Sequence, residues 1–384
     1  MSKKDDYVDI SSYSQLNRVY KKKHNKGRTV RIVALVISIV LLLGGCGLIY
    51  YYQVLDSLKF EEVETTNKND ETIKTLETTV DDSTLLSSSK VLNILLFGQD
   101  AKESEEEKYG RSDTTILLSL DNVNKKIKLT SFQRDTYVTI PGHGQDKLNA
   151  AFYIGGVQKS IETIEANFGV KVDKYAIVDF RSFIMIIDVL GGVDIDLTLD
   201  EIGYINAQID VNDDYDVTTL IEYDPTLPVQ TIHLDGEQAL WYARDRGADA
   251  LGDIAEYSFT GDDWDRTSRQ RNLIRVLTEQ LKEKASLTDL VQIVNKVGPL
   301  VTTNLKKSDI TFLVSNVSTY LNYDIAELSI PTEGTWGYSH TENGQSVIYI
   351  YDWDKVRLDL ASFIYEDQVS VGSTTSTTNQ NTNY

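Results

Sequence analysis

The sequence has one cysteine, four histidines and five prolines in 384 residues. The single thiol, Cys46, excludes an intramolecular disulfide. Because it lies inside an apolar run, the rest of the chain has no thiol nucleophile and no zinc–thiolate site. The histidines His24, His143, His233 and His340 stand singly, without Ser-His-Asp or His-x-x-x-His spacing. Triad hydrolysis and zinc chemistry are therefore disfavoured. Charge is absent from residues 32–52, and positive charge is scarce beyond them. No internal repeat is present.

The 21 uncharged residues 32–52 are enough for a helix spanning a hydrocarbon core of roughly 30 Å, and they lack the polar stripe of a soluble core helix. Residues 1–31 carry nine Lys/Arg against three Asp, a net of +6, which leaves −26 of the chain's −20 on the rest. Lysine and arginine stay on the cytoplasmic side, so a basic tail (1–31) inside and everything from about residue 53 outside is expected. Leu43-Gly44-Gly45-Cys46 also resembles a lipoprotein processing site, with Cys46 lipidated. Against that, the apolar run continues to Tyr50, Tyr51 and Tyr52, which suit an interfacial aromatic belt. The acidic remainder excludes binding of nucleic acid or anionic lipid through bulk charge.

Residues 53–90, rich in Thr, Ser, Asp and Glu, read as an acidic stalk, and residues 367–384, rich in Ser, Thr, Asn and Gln, as a disordered tail. Between them, strands are expected at 91–97, 114–120, 126–132, 136–140, 175–178, 193–197, 325–330 and 347–351. Helical periodicity marks 157–168, 180–190, 236–245, 266–285, 287–297, 307–321 and 353–365. The alternation of strands and helices predicts an α/β domain, a mixed sheet with helices on both faces. Its core is expected over 91–285, completed by helices and strands of 286–366.

Ten arginines follow the apolar run, and eight fall in four patches: Arg111; Arg134; Arg244 with Arg246; and Arg266, Arg269, Arg271 and Arg275. Guanidinium suits bidentate contact with phosphate oxygens, whereas the more evenly spread lysines are point charges. Asp100 follows the first buried strand and Asp113 precedes the next. If those strands are adjacent and antiparallel, the two carboxylates meet at one end of the sheet and make a Mg²⁺ site beside a phosphate. The alternative for either residue is a turn cap. Arg266, Arg269, Gln270 and Leu273 share a helical face near an N-terminus, where the dipole favours an anion. Phe180, Phe183, Ile184 and Ile187 form an apolar face that is either core or a lipid-chain pocket.

In order, these patches resemble the LytR–CpsA–Psr family of cell-envelope proteins. The resemblance covers 91–285 and rests on eight ordered blocks. They include Asn93-Ile94-Leu95-Leu96-Phe97-Gly98-Gln99-Asp100, Arg111-Ser112-Asp113-Thr114, Gln133-Arg134-Asp135, Lys147-Leu148-Asn149-Ala150-Ala151 and Asp188-Val189-Leu190-Gly191-Gly192-Val193. The last two are Ala239-Leu240-Trp241-Tyr242-Ala243-Arg244-Asp245-Arg246 and Asp263-Trp264-Asp265-Arg266-Thr267-Ser268-Arg269-Gln270. The resemblance implies a three-layer α/β/α domain that transfers a polyprenyl-pyrophosphate-linked anionic glycopolymer, of teichoic acid or capsule type, to a peptidoglycan hydroxyl. It implies Mg²⁺, with Mn²⁺ as the substitute, on Asp100 and Asp113. It also implies pyrophosphate contacts from Arg111, Arg134, Arg244, Arg246, Arg266 and Gln270. Asp135 beside Arg134 is the first candidate for the base, its alternative role being to orient that arginine.

Three departures from the family pattern stand out: Gln133 for Pro, Asp265 for Gly, and a long acidic stretch over 247–261 that contains Asp249, Asp253 and Glu256. A lipid pyrophosphate hydrolase, with water as acceptor, and a non-catalytic polyprenyl-phosphate-binding scaffold remain the alternatives. A receptor would need the arginines but not the paired Asp100 and Asp113.

Overall fold

A computed structural model of the chain describes residues 85–99, 109–110, 112–211, 219–247, 261–284, 293 and 296–366. All belong to the second of two compact units, residues 57–384. The expected apolar span 32–52, the stalk as far as residue 84 and the tail 367–384 lie outside the described residues, as does most of 287–297. Among the described residues no helix is long and apolar enough to cross a membrane.

The described chain opens with β1 (Val91–Gln99), β2 (Ser112–Asp121), β3 (Lys126–Phe132) and a small hairpin of β4 (Tyr137–Ile140) and β5 (Gly144–Lys147). Then follow α1 (Ala150–Phe168), β6 (Lys174–Asp179), α2 (Phe180–Leu190), β7 (Val193–Thr198), α3 (Leu199–Val211), β8 (Val229–Leu234), α4 (Gly236–Arg244) and α5 (Asp263–Lys284). Last come β9 (Thr302–Thr303), α6 (Lys307–Ser315), α7 (Val317–Tyr320), β10 (Asp324–Ile330), β11 (Trp336–His340), β12 (Ser346–Ile350) and α8 (Trp353–Tyr365).

Six strands make one mixed sheet in the order β10-β3-β2-β1-β6-β9. β1 and β2 are antiparallel, β1 and β6 parallel, and β3 and β10 parallel. The fold is thus mixed α/β around a central mixed sheet, as the strand–helix alternation predicts. Both sheet edges, β9 and β10, come from the segment after residue 285, so that segment is built into the core.

Apolar side chains sort into two clusters. One packs Leu95, Phe97 and Leu117 of the sheet against Phe152, Ile164 and Phe168 of α1 and Val356, Leu360 and Ile364 of α8. The other joins the antiparallel β7–β8 pair to Ile202, Ile205 and Ile209 of α3, Trp241 of α4 and Leu273 of α5. The polar Asn93 is tolerated within β1 because Ser119 Oγ donates to its Oδ1 (2.7 Å) and its Nδ2 donates to Lys171 O (2.8 Å).

Some boundaries differ from expectation. α1 starts at Ala150, seven residues early, because the non-helical Gly155 and Gly156 break its apolar period. The helix expected over 307–321 divides at Asn316, whose Nδ2 donates back to Phe312 O (2.8 Å) and competes with continued helix.

Candidate active site

The site begins where β1 and β2 end together. Their register sets Gln99 opposite Ser112 and Gly98 opposite Thr114, with a bulge between Gly98 and Gln99. A Cβ at Gly98 would come within 2.9 Å of Thr114 Cβ, so the close approach of the two strands here requires glycine. The expected adjacency of the two strand ends is therefore present. Asp113 is described; Asp100 and Arg111 lie outside the described residues.

Three chain segments meet at Asp113. Arg134, just after β3, donates from Nη1 to Asp113 Oδ1 (2.8 Å). From the first turn of α5, Arg266 Nη2 donates to the Asp113 main-chain carbonyl (2.9 Å). Asp263 Oδ1 lies 2.8 Å from Arg266 Nη2 and 3.4 Å from Arg134 Nε. Asp135 is held between Lys147 Nζ (2.7 Å) and Arg134 Nε (3.6 Å). The main-chain carbonyl of Arg134 also accepts from Asn149 N (3.1 Å), which ties the lysine-bearing segment to the arginine loop.

Electrostatics follow from this crowding. Burial raises the Asp113 carboxyl, but Arg134 and Arg266, with Arg246 further off, outweigh it and hold the group below its usual range. Burial pushes Asp263 up in spite of Arg266 and Arg134. Burial also lowers Arg266 to about 10. Arg134 Nε, Arg246 Nε, Arg266 Nε, Gln133 Oε1 and Gln270 Oε1 are buried without a hydrogen-bond partner among the described residues, and Asp263 meets the arginines through ion pairs alone. So many unmet donors and acceptors in one place are costly unless a polar ligand completes them.

The other predicted residues are less uniform. Gln270, one turn along α5 from Arg266, donates from Nε2 to Ala243 O of α4 (3.2 Å). Arg244 lies against aromatic rings: its guanidinium sits 4.5 Å from the Phe180 ring centroid and 4.9 Å from that of Trp241. The expected common face of α5 divides. Arg269 pairs with Glu201 (2.8 Å) and Asp245 (3.2 Å), and Leu273 enters the core. Arg271 reaches Ser131 Oγ (2.8 Å) and Glu327 (3.0 Å), and Arg275 pairs with Glu279 on the surface. Of the fourth arginine patch, only Arg266 touches Asp113.

Asp263 and Lys147 had not been assigned site roles. The signal for Asp263 is its place three residues before Arg266 in the first turn of a helix. Gln133, one of the departures, donates from Nε2 to Thr267 Oγ1 (3.0 Å), locking β3 to α5. Most of the acidic stretch 247–261 lies outside the described residues.

Beside the charged cluster runs α2. It is apolar over most of its length, yet only Ile187 is buried; Phe180, Phe183 and Ile184 are half-buried and Met185 is 46% exposed. Gly236 at the start of α4 sits so close to the Ile184 backbone that a Cβ would overlap it, and Gly236 N donates to Asp188 Oδ1 (2.8 Å). That contact brings α4, and with it Arg244, onto the N-terminal part of α2.

Mg²⁺ is the metal that the resemblance implies, and the donor chemistry fits it. Mg²⁺ needs only one or two carboxylates beside phosphate and water. Asp113 supplies one ionised carboxylate at the paired strand ends, and among the described residues no group of three Asp, Glu, His or Cys is gathered to hold an ion.

Cationic and anionic side chains around unmet polar atoms, flanked by a half-exposed apolar helix, define a site for an anion with an apolar appendage. The LytR_cpsA_psr family model matches residues 49–357, and the chain belongs to that family. Its curated relatives are transferases. The chain is 32% identical over 266 residues to the polyisoprenyl-teichoic acid–peptidoglycan teichoic acid transferase TagU of Oceanobacillus iheyensis, covering 68% of this chain and 71% of that one. It is 31% identical over 244 residues to TagV of Bacillus subtilis (strain 168), over 63% of this chain and just over half, 56%, of that relative's length. A crystal structure of B. subtilis TagV superposes with TM-score 0.53 and 26% identity, covering 72% of this chain and 98% of that one. The family protein YwtF (TagT) with bound octaprenyl pyrophosphate lipid shares the fold, with TM-score 0.51 and 21% identity over 72% of this chain and 91% of that one.

Proposed function

We propose that this protein transfers a glycopolymer from a polyprenyl pyrophosphate carrier to a hydroxyl of peptidoglycan, releasing polyprenyl phosphate. The observation that carries the reading is Arg244. Its guanidinium rests on Phe180 at the head of α2, and Asp179 just before it pairs with Gln99, whose other partner is Ser112 beside Asp113, so the cationic cluster adjoins an apolar surface, as a lipid pyrophosphate requires. The transferase names of TagU and TagV, and the octaprenyl pyrophosphate in the TagT structure, support the same class of substrate. The polymer is an anionic one of teichoic acid or capsule type.

In this reading Arg134, Arg244, Arg246, Arg266 and Gln270, with Arg111, grip the pyrophosphate, and the half-buried face of α2 takes the prenyl chain. The acceptor oxygen attacks the polymer-side phosphorus. The bond from that phosphorus to the bridging oxygen breaks, and the arginines stabilise charge on the equatorial and leaving oxygens. Asp113, with Asp100, would hold Mg²⁺, or Mn²⁺ in its place, which supplies further neutralisation of the phosphate oxygens when bound. The hydroxyl proton goes to a carboxylate. Asp135 is engaged by Lys147 and Arg134, which suits an orienting role. Asp263, paired with Arg266 and Arg134 and with its proton affinity raised by burial, is the second candidate.

The remaining parts of the reading are architectural. Residues 1–31 would be cytoplasmic, 32–52 a single membrane span, and 53–90 a stalk that holds the catalytic domain outside the cell. Tethering suits a substrate confined to the membrane surface. Hydrolysis differs only in using water as acceptor, and a scaffold would need no metal.

The test incubates the purified chain with lipid-linked polymer, peptidoglycan and Mg²⁺. Polymer covalently attached to glycan supports transfer. Free polymer means hydrolysis, and an intact lipid carrier means a binding protein.

A further inference from the structure

A line of aromatic rings leads outward from the charged cluster. Trp264 directly follows Asp263, the residue that contacts Arg134 and Arg266. Its ring stacks on Trp336 of β11, with centroids 4.8 Å apart and planes at 23°. Trp336 in turn meets Tyr338 edge-on at 5.2 Å and 86°. Tyr338, at the outer end, is 66% exposed.

The strip is fixed to the site. In the β11–β12 hairpin Trp336 pairs with Ile350 and Tyr338 with Ile348, and both isoleucines are buried. Ile348 N donates to Asp135 O (2.9 Å), and Thr136 bridges Ile348, so the hairpin is bonded to the loop that carries Arg134. Trp264 Nε1 is buried with no hydrogen-bond partner among the described residues, an indole donor that lacks its acceptor.

We propose that Trp264, Trp336 and Tyr338 form the docking platform for the acceptor glycan, which rests on the reading of this protein as a transferase to peptidoglycan. The electron-rich face of an aromatic ring attracts the polarised C–H groups on one face of a hexosamine ring, and the ring edges leave sugar hydroxyls free to hydrogen-bond. Trp264 and Trp336 cover each other by stacking, so the ring most open to such a contact is Tyr338 at the exposed end. An apolar tail is better served by α2. A strand lying on Tyr338 and Trp336 is led toward Trp264, and thus toward Asp263 and Arg134, where its hydroxyl is required.

The probe is a soluble oligosaccharide of N-acetylglucosamine, titrated into the full chain in detergent micelles with tryptophan fluorescence as the readout. Wild type is expected to bind it, and Tyr338→Ala to weaken binding roughly tenfold, one aromatic contact's worth. Tyr349, whose partner across the hairpin is Gly337, faces the other side, and Tyr349→Ala is expected to bind like wild type. Failure of wild type to bind, or equal weakening by both substitutions, overturns the platform. Transfer assays separate the two ideas. Unchanged acceptor half-saturation in Tyr338→Ala with active transfer refutes the platform alone. Tyr338-dependent sugar binding in a chain that transfers nothing refutes the transferase reading alone.

Discussion

Arg134 Nη1 and Asp113 Oδ1 lie 2.8 Å apart, joining the loop after β3 to the start of β2. The pair holds a guanidinium and an ionised carboxylate at the point where phosphate and metal are proposed to meet. Arg134→Ala is expected to lower turnover by at least about 100-fold, as loss of a preorganised charge-stabilising donor does. Asp113→Ala should do the same. Both should retain the wild-type circular dichroism spectrum. Near-normal turnover in either would remove the pair from the chemistry.

Asp245 gives a pH dependence of known sign. Burial lifts its carboxyl to about 6, against 3.8 for the free group, although Arg269 opposes the shift. Between those values the folded state holds the proton and the unfolded state does not, so this group's contribution to stability falls as pH rises from about 4 to about 6. Asp245→Asn should cancel that slope, gaining on the order of 2–3 kcal/mol over wild type between acid and neutral pH. Urea unfolding of both proteins at several pH values measures it, and parallel curves would exclude the effect.

Phe180 carries the Arg244 guanidinium. Phe180→Leu keeps an apolar side chain but removes the ring face, a loss of about 0.5–1 kcal/mol at a partly exposed site. Donor affinity should drop about two- to fivefold with folding unchanged. Unaltered donor binding would show that Phe180 does not position Arg244.

At Gly236 there is no room for a methyl group above the Ile184 main chain. Gly236→Ala should cost about 1–3 kcal/mol of stability as α2 and α4 are forced apart. A shift in the urea midpoint reads the cost, and no shift would mean that the helices yield freely.

Much of this was legible in the sequence where local chemistry and tertiary context agree. α2 runs over its expected residues because Asp179 caps its start, accepting from Ser182 N, and Gly191 ends it in the left-handed conformation. α8 likewise starts at the Asp352 cap. β1 is a mostly apolar run, and β3 alternates apolar with polar residues over most of its length; both stand where they were expected. α3 escaped notice although Ile202, Ile205 and Ile209 keep the i, i+3, i+7 spacing of a helix, because Gly203 lowers the helix propensity and the apolar stripe is only one residue wide. β8 was missed because Val229, Thr231 and His233 face outward and its pairing with β7 is non-local.

At the site, the arginine patches were visible from residue type alone, but their division was not. Which of Arg266, Arg269 and Arg271 meets Asp113 depends on Glu201, Asp245, Ser131 and Glu327, contributed by distant segments. Asp263 becomes notable only once Arg134, well over a hundred residues earlier in the chain, is seen beside it.

The central claim is that a pyrophosphate bond is exchanged for a phosphodiester to glycan at the Arg134–Asp113–Arg266 cluster. Phosphorus NMR of the reaction of wild-type chain with lipid-linked polymer and peptidoglycan tests it most directly. The account predicts glycan-linked phosphodiester and polyprenyl monophosphate appearing in equal amounts, and neither with Arg134→Ala. Loss of pyrophosphate without phosphodiester, or the same products from Arg134→Ala, would contradict it.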